Sequence, residues 1–217
     1  MGTKLSQLDR ELLNAARKDN TARVFDLLNM GANILAVEKS GNTTATWLAF
    51  GNNGNAVIRL AKIDPAVLDQ ADKNGLTATH WLATHKDGKT IINLSQMRPS
   101  VLEYADLSGF TATLYLALIN AKQAVINLAE LYPAVLEQAD ENGWTAASLL
   151  GRHDSGDTVI KLADINPSIK RQEIIIELAI VFQHTSLVKR LIKAGFAQPE
   201  NIDDLLEKRG LSRQDIT

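Results

Sequence analysis

Four histidines, His80, His85, His153 and His184, are the side chains of this sequence whose intrinsic pKa best suits proton transfer or metal binding near neutral pH. There is no cysteine to join them as thiolate ligand or nucleophile. A metal centre or catalytic triad needs several such groups converging with a carboxylate or hydroxyl. His184 has no Asp, Glu or His beside it at a ligand spacing. The glycine-rich stretches "GNNGN" (51–55) and "GRHDSGD" (151–157) match neither Gly-x-x-x-x-Gly-Lys-Ser/Thr nor Gly-x-Ser-x-Gly, and both read as loops between paired helices. The acidic pairs Asp140-Glu141 and Asp203-Asp204 read as solvated turn residues or as carboxylates favoured near a helix start. No catalytic residue, metal ligand or cofactor follows from these patterns, and the chain is expected not to be an enzyme.

Bulk properties narrow the partners. Of 217 residues, 45% are hydrophobic, enough for a sizeable core. The formal net charge is -2, with no basic run, so nucleic acid is excluded as an expected partner. No window of about 18 apolar residues predicts a membrane span, and the N-terminus lacks a signal-peptide apolar stretch. A cytoplasmic protein is expected, and the lack of cysteine suits a reducing compartment. Met1-Gly2-Thr3 with Ser6 matches the N-myristoylation pattern, which is short enough to arise often by chance.

The elements that would position the histidines come from an internal repeat. Gly41, Gly75, Gly109 and Gly143 recur every 34 residues, as do Thr43, Thr77, Thr111 and Thr145, and Leu48, Leu82, Leu116 and Leu150. Pro65, Pro99, Pro133 and Pro167 are four of the five prolines and keep the same interval. The glycine supplies a positive-φ turn and the threonine an N-cap for a short helix such as Thr77 to Thr84. A Gly/Asn/Asp loop and a second helix with a buried stripe (Val57, Ile58, Leu60, Ala61) follow. The proline then ends that helix, and a short extended piece such as "AVLDQAD" leads into the next turn. His85 and His153 sit two repeats apart, about 20 Å for helices stacked 8–10 Å from each other, too far to share a metal.

These residues resemble a family. Gly-x-Thr-Ala-x-x-x-Leu-Ala is similar to the ankyrin-repeat signature, and Asp72, Asp106 and Asp140 match the aspartate that the family places three residues before the glycine. "ELLNAARKDNTARVFDLLNMGAN" (Glu11 to Asn33) resembles a first repeat, and "LVKRLIKAGF" (Leu187 to Phe196) a second helix with its Ala-Gly ending. The chain departs from the pattern where the signature proline is Thr44, Ala78, Ala112 and Ala146, where the histidine survives only as His80, and where the period is 34 rather than 33. Bulk also moves, from the small Ala45, Thr79, Thr113 and Ala147 to Trp47, Trp81, Tyr115 and Leu149 two residues on. Tetratricopeptide repeats share the 34-residue period but lack the Gly-x-Thr turn.

The resemblance implies an all-α ankyrin-repeat solenoid of about six helix-turn-helix repeats in one domain over 1–217: roughly 6–39, 40–73, 74–107, 108–141, 142–170 and 171–198, with a C-terminal helix near 200–210. It implies a structural His80 that bridges neighbouring repeats, and Trp47, Trp81 and Tyr115 are expected in the core. It further implies a non-catalytic monomer that binds a partner protein through a concave groove, contacted by Leu76, Phe110, Trp144, Leu118, Ile119, Phe50, Arg152, Lys73 and Glu141, with Lys39 at the rim. The degenerate Thr-Ala repeats are similar to those of bacterial ankyrin effectors, which implies action on a host protein and delivery into the host cytoplasm. The alternative is an intracellular scaffold or inhibitor in the organism that makes the chain.

Overall fold

Threonine hydroxyls and their third neighbours start the helices in the computed structural model, which describes residues 5–153 and 155–217. The Thr43 Oγ1 accepts the Thr46 N–H at 3.2 Å, and the Thr46 Oγ1 accepts the Thr43 N–H at 2.8 Å. Thr145 and Ser148 exchange the same pair of bonds, and at Thr77 the returning acceptor is the His80 Nδ1, 3.0 Å from the Thr77 N–H. Each reciprocal pair satisfies amides that a helix start would otherwise leave without partners.

The chain folds as two compact units, Met1–Ala112 and Thr113–Thr217. The first holds α1 (Gln7–Arg17), α2 (Thr21–Asn29), α3 (Thr44–Phe50), α4 (Gly54–Ile63), α5 (Ala78–Thr84) and α6 (Gly88–Met97). The second, entered within α7 (Ala112–Leu118), holds α8 (Lys122–Leu131), α9 (Ala146–Gly151), α10 (Gly156–Ile165), α11 (Ile174–Val181), α12 (Thr185–Lys193), α13 (Ile202–Glu207) and α14 (Arg213–Ile216). Helices are the only extended regular structure among the described residues. In the first unit α3 packs on α1, α4 and α5, and α6 on α4 and α5. In the second, α9 packs on α10 and α11, and α12 on α10, α11 and α14. Short links carry each first helix into its second, with Asn52 and Lys86 in the left-handed region at φ 59° and 62°. Asn53 and Asp87 then cap α4 and α6 by accepting the Ala56 and Thr90 N–H groups, each at 3.1 Å.

The ladder prolines do more than stop a helix. Pro65–Leu68 and Pro99–Leu102 in the first unit, and Pro133–Leu136 and Pro167–Arg171 in the second, are 3-10 turns, where extended chain was expected. Proline has no N–H to lose at the first position of a helical turn, and its φ is already helical, so it opens a new turn as it closes the old one. That turn drives Val67, Leu68, Val101, Leu102, Val135 and Leu136 into the core.

Between turn and next helix the backbone pairs only briefly, as isolated bridges Val37–Thr43, Ala71–Thr77, Ala105–Thr111 and Ala139–Thr145. The core of the first unit is lined by Leu48 and Leu82 and that of the second by Leu116 and Leu150, all from first helices and all without solvent exposure. Trp47, Trp81 and Tyr115, expected there, are instead half-buried. In the seven-residue α3, residues 44, 45, 46, 48 and 49 already fill the inward side, leaving Trp47 and Phe50, one turn apart, to share the outer face. The C-terminal "EKRGLSRQDIT", most of it beyond the helix expected near 200–210, contains α14, whose Ile216 is buried and whose Arg213 binds Asp203. The Met1-Gly2-Thr3 pattern and Asp154 of the 151–157 loop lie outside the described residues.

Candidate functional site

Histidine chemistry is the first possibility, and the backbone absorbs it. His80 is fully buried at the start of α5. Its Nδ1 accepts the Thr77 N–H, so its proton sits on Nε2, which donates to the Phe110 carbonyl at 3.0 Å. Burial lowers its pKa, against the opposing pull of the Phe110 carbonyl and the Asp106 charge. The expected structural role of His80 is the one its bonds describe. The other three repeat one motif: the Nε2 of His85 donates to the Phe50 carbonyl at 2.9 Å, that of His153 to the Leu118 carbonyl at 2.7 Å, and that of His184 to the Arg152 carbonyl at 2.8 Å. Each accepting carbonyl belongs to a residue at or just past the end of the preceding first helix, where C=O groups lack intrahelical partners. The sequence showed no use for these histidines, because the acceptors lie 32 or 35 residues away and are brought to the rings only by the packing of the helix pairs. Among the described residues no group of three His, Asp or Glu could hold a metal ion.

The turn residues are held by local hydrogen bonds. The Asp72 Oδ1 accepts the N–H groups of Asn74 and Leu76, Asp106 those of Ser108 and Phe110, and Asp140 those of Asn142 and Trp144, at 2.8–3.0 Å. Asp140 is thereby buried rather than solvated, and Glu141 beside it is exposed. Leu76, Phe110 and Trp144, the residues expected to face a partner, are half-buried, while Lys39 and Lys73 are exposed at the turn tips. At the tip after Ala105, Leu107 takes that position with 71% of its surface in solvent.

Among the exposed apolar side chains of the first unit, Phe50 at the end of α3 stands against two half-buried tryptophans, Trp47 of α3 and Trp81 of α5. Phe50, 52% exposed, meets Trp81 edge-to-face with ring centroids 5.1 Å apart, and Trp47 at 6.0 Å. Trp47 is anchored by its indole N–H to the Glu38 Oε1 at 3.1 Å. The Trp81 indole N–H is enclosed and has no partner, for the residue matching Glu38 is Asp72, a methylene shorter and engaged with its own turn. Phe50 was among the expected partner residues; Trp47 and Trp81 were missed because their bulk was assigned to the core.

In the second unit Leu118, Ile119 and Arg152 are half-buried, and the Arg152 guanidinium lies 5.0 Å from the ring centre of Phe182, which is 41% exposed. An arginine over an aromatic face keeps a cation and an apolar surface together at little desolvation cost. Phe182 belongs to no ladder, which hid it from the sequence. No family model and no curated protein matches the chain. Among the described residues no helix is long and apolar enough to cross a membrane.

Proposed function

We propose that the chain is an ankyrin-type solenoid of about six helix-turn-helix repeats that binds a partner protein through the outer ends of its first helices and its turn tips, without catalysis. The starts of α3, α5, α7 and α9 at residues 44, 78, 112 and 146 support the repeat reading. The observation that carries the binding reading is the ring chain Trp47, Phe50 and Trp81. Phe50 keeps 52% of its surface in solvent against the two half-buried tryptophans, and large aromatics with arginine nearby compose interface centres.

Capture from lysate by the immobilised full chain tests this, with Phe50→Ala and Trp144→Ala in parallel and circular dichroism as the fold control. A hot-spot loss of about 2 kcal/mol means about a 30-fold drop in affinity for a retained protein. Equal capture by all three proteins overturns the reading.

A further inference from the structure

We infer that the segment seated on the first unit is an acidic peptide carrying a large apolar side chain; this rests on the protein-binding reading and adds the chemistry of the partner. The apolar half of the match is the Trp47, Phe50 and Trp81 chain, joined edge-to-face at 87° and 84°, in which Phe50 keeps 52% of its surface in solvent.

The acidic half comes from α1, which packs on α3. Arg10, Asn14, Arg17 and Glu38 line a hollow of about 160 Å³, and Glu38 joins it to the rings through its bond to Trp47. Of the five arginines in the first unit, Arg23 pairs with Glu11 at 2.9 Å, Arg98 with Asp69 at 2.6 Å, and Arg59 lies 3.6 Å over the Phe25 ring. Arg10 and Arg17 have no carboxylate within ion-pair distance among the described residues; Arg17 donates only to the neutral Asn14 Oδ1 at 3.1 Å. The one carboxylate in the hollow, Glu38, keeps its charge but is oriented by neutral donors, its Oε1 accepting from both Trp47 and Ser40, and it forms no ion pair with either arginine among the described residues. Asp19, past the end of α1, is bound to the Asn53 amide at 2.7 Å. Exposed Lys18 and Lys39 add to the same sign. Two guanidinium groups therefore stand unpaired beside an apolar surface, the arrangement that a peptide carboxylate completes with charge-assisted bonds while its neighbour covers the rings. A basic peptide would meet the same charges as repulsion.

Display of short random peptides on the immobilised full chain tests the chemistry without presupposing a partner. The enriched peptides are expected to combine excess Asp and Glu with Phe, Trp or Leu. Synthesised and followed by fluorescence anisotropy, they should bind about tenfold or more weakly to Phe50→Ala and to Arg17→Glu, and weaken as ionic strength rises. Both positions are exposed, and circular dichroism checks that the variants fold. Basic or uncharged winners, no enrichment, or acidic peptides that bind both variants like wild type each overturn the inference. A lysate partner that is lost on Trp144→Ala while the display fails would remove this inference and leave the protein-binding reading standing.

Discussion

Gly41 and Gly75 in the first unit share a left-handed backbone with Gly143 in the second, at φ 86°, 81° and 79°. Their surroundings differ. A Cβ would lie 2.8 Å from the Lys73 amide nitrogen at Gly41 and 3.0 Å from the Asp106 Cα at Gly75, yet would meet nothing within 4 Å at Gly143. In the first unit each of these turns is covered by the next, and the Leu107 N–H donates across to the Asn74 carbonyl at 3.0 Å. In the second, the segment after Gly143 brings no such turn; the 3-10 turn Pro167–Arg171 is followed by Gln172, whose Oε1 accepts the Thr145 hydroxyl at 2.7 Å. One letter thus answers to two requirements, a positive φ and a close backbone approach, and the second unit keeps only the first.

That difference can be broken by substitution. Gly41→Ala has the largest expected effect, about 2 to 5 kcal/mol, from the left-handed penalty plus a steric clash with backbone that cannot rotate away. Chemical denaturation of Gly41→Ala beside Gly143→Ala checks it, and equal losses would mean that the covering turn contributes nothing. His80→Thr comes next: Thr46 shows that threonine can complete the same cap, but the Phe110 carbonyl loses its donor, at a cost of about 1 to 3 kcal/mol.

The same variant sharpens the pH dependence. The folded pKa of His80 is lowered, so above its ordinary value near 6.5 both states are neutral and its stability contribution is complete. As pH falls below that value the unfolded chain takes the proton first, and stability is lost down to the folded pKa. Wild type should therefore lose more denaturation free energy than His80→Thr on going from neutral to mildly acidic buffer; parallel losses would show that other groups carry the slope. Gly143→Ala should cost about 1 to 2 kcal/mol, the conformational penalty alone. Smallest is Lys39→Ala, within about 0.5 kcal/mol on stability, as expected for an exposed turn residue with no ion pair among the described residues.

The helix starts were legible because capping is local. Thr43, Thr77 and Thr145 each find their partner three residues on, and Thr46, His80 and Ser148 all serve although they are different residues. The buried leucines were legible from their recurrence alone. The candidate surface was legible only in part, since Phe50 stood out while Trp47 and Trp81 were placed inside. A large aromatic in a short helix can serve either side, and the choice falls to whichever neighbours fill the inward positions first.

By itself the sequence determined where helices begin, where the chain turns and which leucines leave water, since those follow from bonds spanning three or four residues and from hydrophobic period. Tertiary packing decided which face the tryptophans take, which carbonyl each histidine binds and which glycines lie under another turn. Those outcomes depend on groups some 30 residues apart arriving within a few ångströms of each other, a coincidence that no local pattern encodes.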